Sequence, residues 1–219
     1  MLNRVLLLGH RGTRPVASIG ENTLAAFDRA LEDGCDGFEF DVRLTRDGRA
    51  VICHDLKYGD VLIARAGENQ LVELPTLPLV LSRFGSRAFL DIELKVAGLE
   101  ELTVKALEQE APSRGYLVSS FLPDVLRSLH RANSQIPLGL ICDREQQLSR
   151  WPELPIQYVI PHHSLVSKKL IAQLHAADRK LFAWTVNDSE DMLRLAQWGI
   201  DGIISDDTGL LVKTLAASS

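Results

Sequence analysis

The segment GFEFDVRLTRDGRAVICH, residues 37–54, begins with a short apolar run that carries two acidic side chains at its end. Gly37–Asp41 has the length and apolar character of a buried β-strand. Glu39 and Asp41 are two residues apart in this run, so their carboxylates point to the same face of the strand. The segment therefore predicts a core strand whose carboxyl end presents a pair of carboxylates.

The second half of the same segment predicts a β-hairpin over Arg43–Ile52. Asp47-Gly48 is a strong signal for a tight hairpin turn. A turn centred on this pair places Asp41 directly opposite His54, and directly opposed residues share a face of the sheet. We therefore expect the hairpin to extend above the strand and to return His54 beside Asp41.

Outward from this segment, the chain contains further short apolar runs bounded by turn signals, which is the pattern of fully buried strands. The predicted strands are Val5–Gly9, Gly37–Asp41, Ala88–Glu93, Tyr116–Ser119, Leu138–Cys142, Tyr158–Pro161, Leu181–Thr185 and Gly202–Ser205. Segments with helical spacing separate the strands, starting with one that begins at Glu21-Asn22-Thr23 and ends at Gly34.

Strands that alternate with helices predict a parallel sheet, and eight such units favour closure into a (β/α)₈ TIM barrel. The main rival is an open doubly wound sheet, but no glycine-rich dinucleotide loop follows the first strand. The long connection from Asp55 to Thr76 predicts a short insertion rather than a second domain. We therefore expect one barrel domain over residues 1–219, with a β-hairpin extension after the second strand.

Composition narrows the class of protein. The chain has 219 residues, of which 46% are hydrophobic and 24% charged, and its net charge is −5, which argues against a nucleic-acid partner. No apolar segment is long enough to cross a bilayer, so we expect no stable membrane association. Cys35, Cys53 and Cys142 have neither zinc-site nor redox spacing, which predicts free thiols and a cytoplasmic location. We expect a monomer or homodimer.

Polar groups recur where the predicted strands end, and in an α/β barrel these ends form one catalytic rim. The groups are His10-Arg11-Gly12, Glu39-Phe40-Asp41, Glu93-Leu94-Lys95, Trp184-Thr185-Val186-Asn187 and Ser205-Asp206. Carboxylates gathered at one rim repel each other unless a cation binds between them. Glu39, Asp41 and Glu93 therefore predict a site for a hard divalent cation, Mg²⁺ or Ca²⁺, which prefers oxygen ligands.

The remaining rim groups fit a small phosphodiester substrate. Arg11 offers a bidentate fork and Lys95 a point charge for the phosphate oxygens. Histidine titrates near neutral pH, so His10 and His54 are the candidates to accept and donate a proton.

Each of these residues also has a plainer structural interpretation. Glu39 or Asp41 alone is compatible with an ion pair to Arg43 or Arg46, and Glu93 with a salt bridge to Lys95. A single histidine at a strand end is more often structural than catalytic, and His162-His163 after the sixth strand leaves a rim role open. The joint occurrence of these groups at several strand ends favours the functional interpretation.

Several motifs in order along the chain resemble the glycerophosphodiester phosphodiesterase family, in its short bacterial type. They are His10-Arg11-Gly12, Glu21-Asn22-Thr23, Glu39-x-Asp41, His54-Asp55, Glu93-x-Lys95, Ser120-Phe121 and Trp184-Thr185-Val186-Asn187. The resemblance implies a metal-dependent barrel hydrolase that converts glycerophosphodiesters into sn-glycerol 3-phosphate and an alcohol.

The same resemblance implies a role for several of the motif residues. It implies metal ligation by Glu39, Asp41 and Glu93, acid–base catalysis by His10 and His54, phosphate binding by Arg11 and Lys95, with Lys95 also catalytic, and a substrate pocket lined by Phe121 and Trp184. Attack by the glycerol 2-hydroxyl to give a cyclic phosphate and direct attack by water both stay open.

Two other functions are compatible with the same barrel. A lysophospholipase D-like phosphodiesterase shares the metal and the histidines but takes lipid substrates, and a large apolar patch at the rim would favour it. A non-catalytic barrel that binds phosphate esters would be expected to lack a histidine or a metal carboxylate, and all of them are present.

Overall fold

The computed structural model describes residues 4–14 and 19–216, and the predicted domain span of 1–219 extends beyond them at both ends and at residues 15–18. The strands are β1 (Leu6–Gly9), β2 (Gly37–Leu44), β3 (Ala50–Ile52), β4 (Lys57–Tyr58), β5 (Val61–Leu62), β6 (Phe89–Leu94), β7 (Tyr116–Ser120), β8 (Leu138–Cys142), β9 (Tyr158–Pro161), β10 (Lys180–Ala183) and β11 (Gly202–Ser205). The helices are α1 (Leu24–Glu32), α2 (Leu77–Phe84), α3 (Glu100–Gln109), α4 (Pro123–Ala132), α5 (Glu145–Leu148), α6 (Lys168–Ala176), α7 (Ser189–Gln197) and α8 (Thr208–Ala216).

The parallel strands close into a barrel, as predicted. Neighbouring strands pair in the order β1, β11, β10, β9, β8, β7, β6, β2, and a further pairing of β1 with β2 closes the ring. In that closing pair Leu8 lies opposite Gly37, and Gly9 lies opposite Phe38. The carboxyl ends of all these strands therefore meet at one rim, which is where catalytic groups collect in this architecture.

The main apolar core lies between the barrel and the helices. The sequence of α1 shows how a helix is positioned in this core. Thr23 caps the helix by accepting a hydrogen bond from the amide of Ala26 at 3.2 Å. Phe27 then stacks on Phe38 of β2 with ring centroids 4.2 Å apart, and Phe84 of α2 packs edge-on against Phe38 at 5.1 Å. The aromatic contacts fix α1 and α2 against the strand that carries the acidic pair.

Inside the barrel, a second apolar cluster fills the amino-terminal end, where Phe182 packs against Phe89 and Tyr158. Gly202 of β11 makes room for this layer, because a Cβ atom there would lie 2.6 Å from the Phe182 ring. The amino-terminal half of the interior is thus closed by side chains, and the open space lies at the carboxyl-terminal rim.

The hairpin after β2 is present, but the predicted register is wrong by one residue. Val42 lies opposite Ile52 and Arg43 opposite Val51, so Asp41 is matched by Cys53, whose amide donates to the Asp41 carbonyl at 2.9 Å, and not by His54. The cause is the turn. Gly48 has a φ of 82° and ends a three-residue loop with a bulge, whereas the prediction placed Asp47-Gly48 at the centre of a two-residue turn.

The insertion from Asp55 to Thr76 forms the small β4–β5 hairpin and two short 3₁₀ turns. Ile63, Ala66 and Leu71 of this segment bury their side chains against Val51 of β3. The insertion is therefore packed onto the hairpin that carries His54. No helix within the described ranges is long and apolar enough to span a membrane.

We predict that Gly202→Ala lowers the free energy of unfolding by about 1–3 kcal/mol, because the added methyl group overlaps the buried Phe182 ring. Gly209→Ala on α8 is the matched control, since a Cβ there would make only an ordinary van der Waals contact, 3.7 Å from Asp207 Oδ1, and the change should leave stability unchanged or slightly raised. Chemical denaturation of both variants tests this, and equal stabilities would show that the interior tolerates the overlap.

Candidate active site

The paired strands β2 and β6 bring the predicted metal-ligating carboxylates together at the rim. Asp41 lies directly opposite Glu93 in the strand register. Glu39, Asp41 and Glu93 each offer a carboxylate oxygen within 4.8 Å of the others, and all three side chains are buried. The structure therefore forms one acidic cluster from two strands whose carboxylates, Asp41 and Glu93, are 52 positions apart in the chain.

A fourth carboxylate, Asp91, lies beneath this cluster. It is opposite Glu39 in the strand register and fully buried, and Ser119 donates a hydrogen bond to it at 2.5 Å. Burial raises the pKa of Asp91 to about 7, and the charge of Asp41 adds to this effect.

Burial and mutual repulsion also set the ionisation of the cluster. Burial raises the pKa of Glu93 to about 8, with a further contribution from Asp41, and it raises the pKa of Glu39 well above its ordinary value. Burial opposes ionisation of Asp41 as well, but the charges of Lys95 and Arg11 outweigh it and lower the pKa of that carboxyl. One carboxylate is thus held ionised and its neighbours resist ionisation while no further cation is bound.

The donor set fits a hard divalent cation. Glu39 Oε1 is buried and has no hydrogen-bond partner in the described part of the chain. Asp41 Oδ1 and Glu93 Oε1 contact the Lys95 ammonium at 3.2 and 2.8 Å. An all-oxygen set with such an unpartnered atom is the environment that Mg²⁺ or Ca²⁺ prefers.

Arg11 and Lys95, the predicted phosphate ligands, flank the cluster and line the same pocket. Arg11 has a φ of 52°, and its amide donates to Glu39 Oε2 at 2.9 Å while its Nε lies 3.2 Å from Asp41 Oδ2. Burial disfavours the Lys95 ammonium, but the nearby carboxylates of Glu93 and Asp41 outweigh this and raise the pKa of Lys95. Both cations are therefore held charged beside the acidic groups.

His10 follows β1, and its imidazole is buried beside the acidic cluster. Its Nδ1 lies 2.8 Å from Asp206 Oδ1, and its Nε2 lies 3.9 Å from Glu39 Oε2. Burial opposes ionisation of Asp206, but hydrogen bonds from His10 and Asn187 outweigh it and lower its pKa to about 2. Because the ionised Asp206 can only accept hydrogen bonds, the proton of a neutral His10 imidazole lies on Nδ1. The Nε2 atom of that tautomer is then free to accept a proton.

His54 has a similar arrangement at the other side of the pocket, nearer to solvent. Its Nδ1 lies 2.8 Å from Asp55 Oδ1, and its side chain is 34% exposed. His54 lines the same pocket as His10 even though the hairpin register differs from the predicted one.

An apolar wall completes the pocket, which has an empty volume of about 470 Å³. Phe121 and Trp184, the predicted substrate-contacting residues, lie there with their rings in an edge-to-face contact at 5.6 Å. Trp184 is held in place by a hydrogen bond from Nε1 to the carbonyl of Ile160 at 3.0 Å. The rest of the wall consists of Ile141, Ile160 and Ile204.

Sequence comparison identifies the family to which this pocket belongs. The sequence profile of the "Glycerophosphoryl diester phosphodiesterase family" matches residues 9–80 and 67–210. The chain belongs to this family. A protein named glycerophosphodiester phosphodiesterase from Caldanaerobacter subterraneus subsp. tengcongensis is 30% identical over 245 aligned residues, which cover 96% of this chain and 97% of that protein. The resemblance noted in the motifs is confirmed, and this family member is a phosphoric diester hydrolase.

Solved structures agree with this assignment. A glycerophosphodiester phosphodiesterase from Thermotoga maritima matches with a TM-score of 0.83 and 26% identity, covering 96% of this chain and 98% of that one. A phosphodiesterase from Oleispira antarctica, solved in complex with the product sn-glycerol-3-phosphate, matches with a TM-score of 0.84 and 27% identity, covering 96% of both chains.

The site of this phosphodiesterase also contains residues to which the sequence analysis gave no role. Asn22, with a φ of 57°, donates to Asp41 Oδ2 at 2.7 Å and accepts from the Asp41 amide at 3.2 Å. Glu21 beside it accepts from Arg11 Nη1 at 2.8 Å. Asp91 was detectable from sequence, because it is two residues before Glu93 and so shares its face, whereas nothing in the sequence indicated the contacts of Asn22.

His162 and His163 do not line the pocket of the phosphodiesterase. His162 packs edge-on against Trp184 at 5.7 Å, and its Nδ1 lies 2.8 Å from the Ser164 hydroxyl. His163 Nδ1 lies 3.4 Å from a carboxylate oxygen of Asp191. The structure therefore places His162 behind a pocket residue and outside the acidic cluster.

The raised pKa values predict a pH dependence of stability for the metal-free phosphodiesterase. Above the ordinary value of 4.5 the unfolded chain loses the Glu93 proton, whereas the folded protein keeps it up to about pH 8, so the free energy of unfolding should fall as pH rises across this window. The loss should amount to a few kcal/mol, because one pKa unit corresponds to about 1.36 kcal/mol.

Denaturation in the presence of chelator at several pH values measures this dependence. Glu93→Gln removes the ionisable group and should flatten the decline, and saturating Mg²⁺ or Ca²⁺ should oppose it in the wild type. An identical slope in the wild type and in Glu93→Gln would contradict the assignment.

Proposed function

We propose that this phosphodiesterase hydrolyses glycerophosphodiesters to sn-glycerol 3-phosphate and an alcohol, with a bound Mg²⁺ or Ca²⁺ and with His10 and His54 as its acid–base pair. One observation carries the proposal. Two imidazoles, each with Nδ1 engaged by an aspartate, line one pocket together with a buried cluster of three carboxylates.

Glu39, Asp41 and Glu93 would hold the cation, which would supply positive charge for the phosphate oxygens. Arg11 and Lys95 bind the same phosphate, and Lys95 in addition stabilises the negative charge that grows on its oxygens during the reaction. Both side chains already lie within 3.2 Å of the Asp41 carboxylate, so they need little movement to reach a phosphate in the pocket.

The proton transfers fall to the two histidines. One imidazole takes the proton from the attacking hydroxyl through its Nε2, and the other returns a proton to the oxygen of the departing alcohol. The attacking hydroxyl is either water or the 2-hydroxyl of the substrate glycerol; in the second case a cyclic phosphate forms first and water then opens it. Phe121 and Trp184 contact the apolar face of the glycerol or alcohol moiety.

Changing either histidine tests the acid–base assignment. We expect His10→Ala and His54→Ala each to lower kcat for glycerophosphocholine by about 10²–10⁴-fold, the usual contribution of general acid–base catalysis, with the fold retained by circular dichroism. His175→Ala is the matched control, because His175 lies on α6 outside the pocket and bonds to Asp201. Undiminished turnover in either pocket variant would remove that histidine from the mechanism.

The lipid-directed alternative has one observation in its favour. A mostly apolar groove lies beside the rim and is lined by Leu44, Leu56, Leu62, Ile63, Ala64, Val96 and Ala97, together with Arg43 and Thr45. Leu56 is 64% exposed although it is only two residues beyond His54, and Val96 directly follows Lys95. An acyl chain of a lyso-lipid would find an apolar surface there.

A substrate panel distinguishes the two functions and tests the metal requirement. We expect glycerophosphocholine to be hydrolysed with Mg²⁺, Ca²⁺ or Mn²⁺, not with chelator, and with a higher kcat/KM than lysophosphatidylcholine under identical conditions. A preference for lysophosphatidylcholine would support the lipid-directed function, and full activity in chelator would contradict metal dependence.

A further inference from the structure

Arg43 lies on the same strand as the metal-site carboxylates but takes no part in the acidic cluster. It follows Glu39 and Asp41 at the two-residue spacing of β2, so its side chain leaves the same face of the strand, one step above the cluster. Its Nε and Nη2 both donate to the carbonyl oxygen of His54, at 2.8 and 2.5 Å. The guanidinium therefore holds the backbone of a pocket histidine.

The burial and charge of Arg43 make this contact unusual. Arg43 is only 9% exposed, and buried arginines are normally paired with a carboxylate. Within residues 4–14 and 19–216 no carboxylate lies within 4.0 Å of its guanidinium, and Asp41 on the same strand is contacted by Arg11 and Lys95. The charge-assisted hydrogen bonds to the His54 carbonyl are thus its polar contacts with the protein.

His54 needs such support more than His10 does. His10 is buried, and its partner Asp206 is itself held by Asn187. The partner of His54, Asp55, has a side chain that is 77% exposed, so it provides a weaker anchor. The sheet contact ends one residue earlier, where the amide of Cys53 donates to Asp41, and the insertion starts one residue later, at Asp55.

We propose that Arg43 is a positioning residue for catalysis, which holds the His54 backbone so that the imidazole faces the reacting phosphate. Its hydrogen bonds to the site go to the His54 carbonyl: it lines the apolar groove and not the catalytic pocket, and it touches none of the three carboxylates proposed to hold the cation. This inference rests on the catalytic role of His54 proposed above.

The first test is Arg43→Met, which keeps the length and apolar stem of the side chain and removes the charge and the hydrogen bonds. We expect kcat for glycerophosphocholine to fall by about 10- to 100-fold, the usual effect of losing support for an active-site residue. KM and the affinity for the divalent cation should change by less than about two-fold. Arg43→Lys, which keeps the charge and one donor, should lose less.

Arg46→Met is the matched control, because Arg46 is an exposed arginine on the turn of the same hairpin. It should leave kcat unchanged. If Arg43→Met proves unfolded by circular dichroism, Arg43→Lys serves as the test variant, and a kcat equal to that of the wild type in the folded variant would overturn the proposal.

A double-mutant cycle separates positioning from general stability. When His54 is already alanine, Arg43→Met should cause no further loss of kcat, because the group that Arg43 positions is absent. The same fold loss in both backgrounds would overturn the proposal while leaving the catalytic role of His54 intact. Undiminished turnover of His54→Ala by itself would instead refute the function on which the proposal rests.

Discussion

The pairing of β2 with β6 is the constraint on which the site depends. Because opposed residues of parallel strands share a face, this register places Glu39 beside Asp91 and Asp41 beside Glu93 inside the barrel. Carboxylates this close and this buried cannot all be ionised unless positive charge is supplied. Arg11 and Lys95 supply part of it, but burial, together with the charge of Asp41, still raises the pKa of Glu93.

The protein supports the two histidines proposed as the acid–base pair to different degrees. Each has Nδ1 against an aspartate and leaves Nε2 for the pocket. His10 obtains its orientation from a buried network at the end of β11, whereas His54 lies where the chain leaves the sheet for the insertion. The packing of Ile63 and Leu71 onto the hairpin therefore contributes to the active site, although neither residue lines it.

The fold could be predicted because its signals are local. Each strand is an apolar run, each helix shows its own spacing, the alternation implies a parallel sheet, and the count of eight units favours its closure into a barrel. The two-residue period also predicted that Glu39 and Asp41 act together. The hairpin register failed because one left-handed glycine, Gly48, adds a bulge that the Asp-Gly signal does not reveal. The contacts of Asn22 with Asp41 and of Arg43 with the His54 carbonyl are made by individual side chains across a loop or a hairpin, and the apolar and polar periodicity of the sequence does not encode them.

The charged and the apolar halves of the pocket come from different parts of the chain. The strands from β1 to β6 and the residues that follow them supply the acidic cluster, the two cations proposed to bind phosphate and both histidines, whereas β7 to β11 supply Phe121, Trp184 and the isoleucines. In the mechanism proposed above, a phosphate bound on the charged side would direct the rest of the diester toward the apolar wall. Substitutions on that wall would then alter which alcohol fits without changing the charge of the acidic cluster. The contact of His162 with Trp184 extends this wall beyond the pocket, so residues that touch no substrate still shape its apolar half.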